Sequence, residues 1–86
     1  MNEDPHPCPV CGETELEGIF EICELCGWED DFVQSGDPEY AGGANDMSLN
    51  EARAYWQATR RYAPRNRTPE LEAARKMVAD LRKLEP

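Results

Sequence analysis

Apolar positions are sparse in the first half of this chain and periodic in the second. Leu49, Ala52 and Trp56 recur at helical spacing, with Tyr55, Ala58 and Tyr62 as a second row, and Ser48 stands three residues before Glu51 in a capping-box arrangement. This predicts a helix opening at Ser48 and ending near Arg61 or Tyr62, because Pro64 disfavours helical backbone before it. Thr68, Pro69 and Glu70 then read as N-cap, first-turn proline and acidic first turn of a second helix. Its apolar face is Leu71, Ala74, Met77, Val78, Leu81 and Leu84. Glu72 and Lys76 form an i, i+4 pair, and Arg82 and Lys83 suit the negative C-terminal end. Two helices joined by a short arginine-rich turn make an antiparallel hairpin over residues 48–86.

The first half shows a different rhythm. Leu16, Ile19, Phe20 and Ile22 are interspersed with Glu15, Glu17 and Glu21, which predicts short strands over Glu13–Glu17 and Ile19–Cys23 around Gly18. Residues 1–7 lack periodicity and read as a flexible arm, with His6 solvated between two prolines. From Glu29 to Asp46 the chain is dense in acids and turn formers and reads as one long loop, with Phe32, Val33 and Tyr40 available to pin it to the core. Gly42-Gly43-Ala44-Asn45 lacks the Gly-Lys-Ser or Gly-Lys-Thr of a phosphate-binding loop and reads as a turn. Glu29-Asp30-Asp31 lacks the Asp-x-Asp-x-Asp-Gly of a calcium loop.

Candidate chemistry sits in two identical cysteine pairs. Cys8-Pro9-Val10-Cys11-Gly12 and Cys23-Glu24-Leu25-Cys26-Gly27 have the spacing at which each turn directs two thiolates onto one ion, and eleven residues between the pairs suffice for a hairpin that brings the turns together. Zinc suits a closed four-thiolate set, and iron in a rubredoxin-like site remains the alternative. His6 precedes Cys8 by two residues but is surplus to a completed tetrahedron. Trp28 is expected to cover the cluster as core. A chain of 86 residues buries little surface per residue, so the metal is expected to act as a structural staple. The expected architecture is small α+β: a flexible arm at 1–7, a four-cysteine ribbon with its acidic loop at 8–47, and the helical hairpin at 48–86 packed on the ribbon.

Charge divides the molecule unevenly. The formal net charge of −9 combines fourteen acidic and no basic side chains in residues 1–52 with nine basic and four acidic ones in residues 53–86, that is −14 and +5. Four thiolates around a divalent ion add two further negative charges to the ribbon. Such a field opposes phosphates, so direct nucleic-acid contact by the metal half is not expected. Arg53, Arg60, Arg61, Arg65 and Arg67 gather near the helical turn. They are read first as local complements to a helix end and to the acidic ribbon, and second as a nucleic-acid patch. Free cysteines, no signal peptide and no long apolar run imply a reducing cytoplasm and no membrane span.

Three blocks carry a family resemblance: Ile22-Cys23-Glu24-Leu25-Cys26-Gly27-Trp28-Glu29-Asp30-Asp31; Asp37-Pro38-Glu39-Tyr40 with Gly42-Gly43-Ala44-Asn45; and Ser48-Leu49-Asn50-Glu51-Ala52-Arg53. Together they resemble the bacterial cysteine-rich CPCC family, from about Cys8 to Trp56. Family members commonly have Cys-Pro-Cys-Cys at the first knuckle, where this chain has Val10 in the third place. The resemblance implies a zinc-ribbon-like domain, with the Trp-Glu-Asp-Asp and Gly-Gly-Ala-Asn blocks forming either a shared supporting loop or a shared acidic contact surface.

No nucleophile, base and orienting group can be assembled from one histidine and four metal-committed cysteines, so neither catalysis nor a small-molecule substrate is expected. The expected function is a non-catalytic zinc-binding interaction module that docks into a basic protein surface. Its sharpest form is an immunity- or antitoxin-like inhibitor occluding the cleft of a nucleic-acid-targeting toxin. Glu29, Asp30, Asp31, Asp37, Glu39 and Asp46 are the expected contacts. The alternatives are a rubredoxin-like iron electron carrier and a nucleic-acid-binding zinc ribbon that uses the arginine turn.

Overall fold

Two minimal strands and three helices follow one another along the chain: β1 (His6–Pro7), β2 (Glu15–Leu16), α1 (Phe32–Gly36), α2 (Leu49–Thr59) and α3 (Pro69–Lys83). The computed structural model describes residues 5–18, 20–64 and 69–83.

The capping box at the start of α2 forms reciprocally: Ser48 Oγ accepts from Glu51 N at 3.1 Å and the Glu51 carboxylate accepts from Ser48 N at 2.9 Å. Leu49, Ala52 and Trp56 are buried, so the predicted apolar row faces the core. The helix stops at Thr59, before the predicted end. Arg60 turns into the left-handed region (φ 54°) while its N–H still reaches the Trp56 carbonyl at 2.8 Å, and Thr59 Oγ1 donates to the Tyr55 carbonyl and accepts from Arg61 N. Pro69 opens α3 as predicted, with Leu71, Ala74 and Val78 buried; Thr68 and Leu84 lie outside the described residues. α3 packs against α2. Leu16, Trp28, Met47, Leu49, Ala52, Trp56, Leu71 and Ala74 join Cys8, Cys23 and Cys26 in one buried cluster, so ribbon and helices share a core. Each fully buried Leu or Met there contributes about 1.5–3 kcal/mol.

The strand pairing differs from the predicted hairpin around Gly18. β2 lies within Glu13–Glu17, but its antiparallel partner is β1, with His6 opposite Leu16 and Pro7 opposite Glu15. Ile22 pairs with Glu29 in an isolated bridge, and Ile19 lies outside the described residues. Each knuckle reverses the chain, so the residues just before and just after it lie side by side. The bonds Cys8 N to Thr14 O and Cys23 N to Trp28 O span the two knuckles and hold these neighbours together. His6 and Pro7, expected in the arm, are therefore strand residues; residues 1–4 lie outside the described residues.

The acidic loop also contains a helix. Asp31 caps α1, its Oδ1 accepting from Val33 N at 2.8 Å and Gln34 N at 3.4 Å. Phe32, Val33 and Tyr40, expected to pin the segment, are all exposed. The pin is polar instead. Fully buried Gln34 donates from Nε2 to the carbonyls of Tyr40, Asn45 and Met47, and its Oε1 accepts from Asn45 N and Asn45 Nδ2. Asn45 in turn accepts from Glu29 N at 2.8 Å and donates to the Glu29 carbonyl at 2.7 Å. Glu29 and Ile22 are opposed without bonding directly, their neighbours carrying the bonds Cys23 N to Trp28 O and Asp30 N to Glu21 O. The backbone groups of Glu29 therefore point away from Ile22, and the Asn45 carboxamide meets both as a further strand would.

Candidate metal centre and its surroundings

Both knuckles are built by the same local bonds. Cys8 N donates to Thr14 O and Gly12 N to Cys8 O; Cys23 N donates to Trp28 O and Gly27 N to Cys23 O, all at 2.8–2.9 Å. Gly12 and Gly27 take φ of 70° and 84°, the left-handed turn that a side chain disfavours. These turns bring the four Sγ atoms of Cys8, Cys11, Cys23 and Cys26 within 4.8 Å of one another. Cys8 and Cys26 Sγ are 3.5 Å apart, and Cys11 and Cys23 Sγ 3.8 Å apart. Sulfurs held about 2.3 Å from a zinc ion at tetrahedral corners lie about 3.8 Å apart, whereas a disulfide needs about 2.05 Å. All four cysteines are free, and the donor set fits one metal ion.

Three of the four ligand residues are buried and Cys11 is half-buried. Cys8 and Cys26 share a sulfur–sulfur hydrogen bond that holds the Cys8 thiol below its ordinary pKa and pushes the Cys26 thiol up; burial pushes the Cys11 thiol up. Backbone N–H groups already point at the sulfurs, including Glu13 N to Cys11 Sγ at 3.5 Å. Thr14 Oγ1 lies 3.0 Å from Cys23 Sγ and donates to it once that sulfur is a thiolate. Sequence reading missed Thr14, because a single hydroxyl in an acidic stretch carries no pattern. Trp28, 1% exposed, packs in the same cluster as the cysteines.

His6 is not a solvated side chain. Its Nε2 lies 2.7 Å from Asp30 Oδ2, and Asp30 is 1% exposed, so the pair fastens β1 to the segment after the second knuckle. Asp31 is 6% exposed and also accepts from Ala44 N at 2.9 Å. These two carboxylates, expected at a partner interface, are consumed inside the fold. The remaining expected contacts sit in different surroundings. Glu29 and Asp46 are half-buried, and the Asp46 carbonyl accepts from Arg75 at 2.6 Å. Asp37 is exposed at the end of α1, and exposed Glu39 is bonded by Asn50 and Arg82. The Asn50 amide and, next, the Arg82 charge hold the Glu39 carboxyl below its ordinary range. Sequence reading missed α1, although Asp31 stands three residues before Gln34, at capping distance.

Gly42-Gly43-Ala44-Asn45 is a supporting turn. Gly42 takes φ 93°, and a Cβ on Gly43 would meet Asp31 Oδ2 at 2.6 Å and Gln34 carbons at 3.0 Å. The arginines tie the helices to the ribbon: Arg53 Nε donates to the Pro9 carbonyl at 2.7 Å, and Arg60 pairs with Glu13 at 2.9 Å while stacking over Trp56. Arg61 is exposed; Arg65 and Arg67 lie outside the described residues. Beyond α2, Ala63 N reaches the Cys26 carbonyl at 3.0 Å, and the Tyr62 ring fills the space where Gly27 would carry a Cβ. No helix among the described residues is long and apolar enough to cross a membrane.

The family model described as Cysteine-rich CPCC matches residues 6–77. The match extends the resemblance read from Cys8 to Trp56 through the arginine turn and into α3. No curated protein matches the sequence.

Proposed function

The chain belongs to the cysteine-rich CPCC family, and from that premise we propose a non-catalytic, zinc-stapled module that docks by its acidic half into a basic surface of another protein. The observation carrying this reading is the closure of the site: four mutually facing sulfurs leave no ligand position for substrate, which is the arrangement of a structural zinc centre. The ion holds shape, and the surface around it supplies the contact. Charge adds direction, because a ribbon without a single lysine or arginine attracts basic partners and repels phosphates. In its sharpest form the module is an immunity-like inhibitor in a bacterial cytoplasm, presenting carboxylates where a toxin's cleft expects phosphates.

The arginine turn offers less support for nucleic-acid binding, since Arg53 and Arg60 are engaged by Pro9 and Glu13. Purification of the native protein with its partner tests the proposal. One zinc per chain is expected, together with a basic protein that salt releases and whose action on nucleic acid the added module suppresses. A red, iron-loaded protein would favour the electron-carrier alternative, and co-purifying nucleic acid would overturn the docking assignment.

A further inference from the structure

Three large apolar side chains stand exposed on and just before the second knuckle: Phe20 (51%), Ile22 (44%) and Leu25 (43%). None is required by the shared core. Phe20 even takes a left-handed backbone conformation (φ 59°), which a bulky aromatic disfavours and which burial of its ring does not offset. Ile22 and the buried Leu16 line an open cavity of about 410 Å³ whose other walls are Thr14, Glu15, Glu21 and Glu24.

The acids around this patch differ from those elsewhere. Glu13 is paired with Arg60, Glu51 with Arg75 and Glu39 with Arg82, while Asp30 and Asp31 are bonded inside the fold. Among the described residues, Glu15, Glu17, Glu21 and Glu24 meet no lysine or arginine. Among the described residues the helical hairpin therefore neutralises Glu13 and Glu39 of the ribbon and leaves these four glutamates without a lysine or arginine partner. Phe32 and Val33 are also exposed, on α1, but the neighbouring carboxylates of Asp30 and Asp31 face inward.

We infer that the docking face is the second-knuckle patch of Phe20, Ile22 and Leu25 rimmed by Glu15, Glu17, Glu21 and Glu24, and that its occupant is a protein segment in which lysine or arginine alternates with apolar side chains. Apolar contact holds such a segment, and the unneutralised rim steers it in and selects its charge. The inference rests on reading the chain as a protein-docking module, and moves the contacts away from Asp30, Asp31 and the loop that follows.

A titration of the zinc-loaded protein with a short synthetic peptide alternating lysine or arginine with leucine or valine, followed by amide chemical shifts, tests it. Salt-sensitive shifts are expected at Ile22 to Leu25 and along β2. The double substitution Ile22→Ser and Leu25→Ser is expected to weaken binding by about tenfold or more, the scale of losing central apolar contacts. Metal content and near-ultraviolet circular dichroism of that variant should match the parent, since both side chains are largely exposed. Asp37→Lys should leave the affinity within about twofold, because a rim charge away from the face acts weakly. Shifts confined to Asp37–Asp46 would overturn this inference yet keep the docking module; no peptide binding alongside binding of an RNA oligonucleotide would overturn both. Unchanged affinity in the double variant would show that charge alone binds and would also overturn it.

Discussion

Gln34 shows how much one buried amide can hold. Its Nε2 has two hydrogens for three carbonyls and its Oε1 serves two donors of Asn45, so the whole turn from Tyr40 to Met47 is gathered on one side chain. Gln34→Leu keeps the approximate volume but strands those groups. A loss of about 2–4 kcal/mol is expected in chemical denaturation of the metal-loaded protein, from several buried partners left unpaired. Nothing in the hydrophobic pattern marked this residue: polar periodicity looks like solvent exposure until the partners are known. The same blindness placed Asp30 and Asp31 on the surface, whereas the Cys-x-x-Cys-Gly turns were legible because their geometry is local.

At the scale of elements, α2 and α3 followed the sequence closely because caps and apolar rows lie within a few residues of each other, whereas α1 has no apolar row to mark it. The strands did not follow it, because β1 is the dipeptide His6–Pro7, whose role depends on Leu16 and Asp30, ten and twenty-four residues on from His6. Acid should expose the polar joints between elements. The backbone N–H groups of Glu17 and Gly18 hold the Glu21 carboxyl below its ordinary 4.5, and Asn50 with Arg82 does the same for Glu39. A lowered native value means that the contribution is complete above about pH 4.5 and is lost as pH falls through the native value. Unfolding midpoints should therefore decline below that pH. Glu21→Gln and Glu39→Gln should flatten the decline, and urea unfolding across pH 3–6 would reveal a parallel slope if the assignment were wrong. Both carboxylates are fully exposed, so the joint test is the slope rather than the stability at neutral pH.

For the molecule as a whole, the decisive feature is that the cysteines belong to the common core rather than to an appendage. A structural zinc contributes about 10–16 kcal/mol of apparent free energy to small domains, comparable to or above the net stability of about 5–15 kcal/mol typical of folded proteins. Stringent chelation is expected to unfold ribbon and helices together, with loss of helical circular dichroism and a red shift of emission as Trp28 and Trp56 reach water. Retention of α2 and α3 after chelation would mean that the helical hairpin stands alone. Acid should release the ion as protons compete for the thiolates.

The contact between Ala63 and Cys26 carries a final implication. The stretch leaving α2 contains no sulfur, yet its backbone rests on a ligand residue and its Tyr62 ring sits against the following glycine. Oxidative injury at the second knuckle would thus be broadcast to a distant part of the chain, unlatching Tyr62 and Ala63 from it and offering proteases a site there.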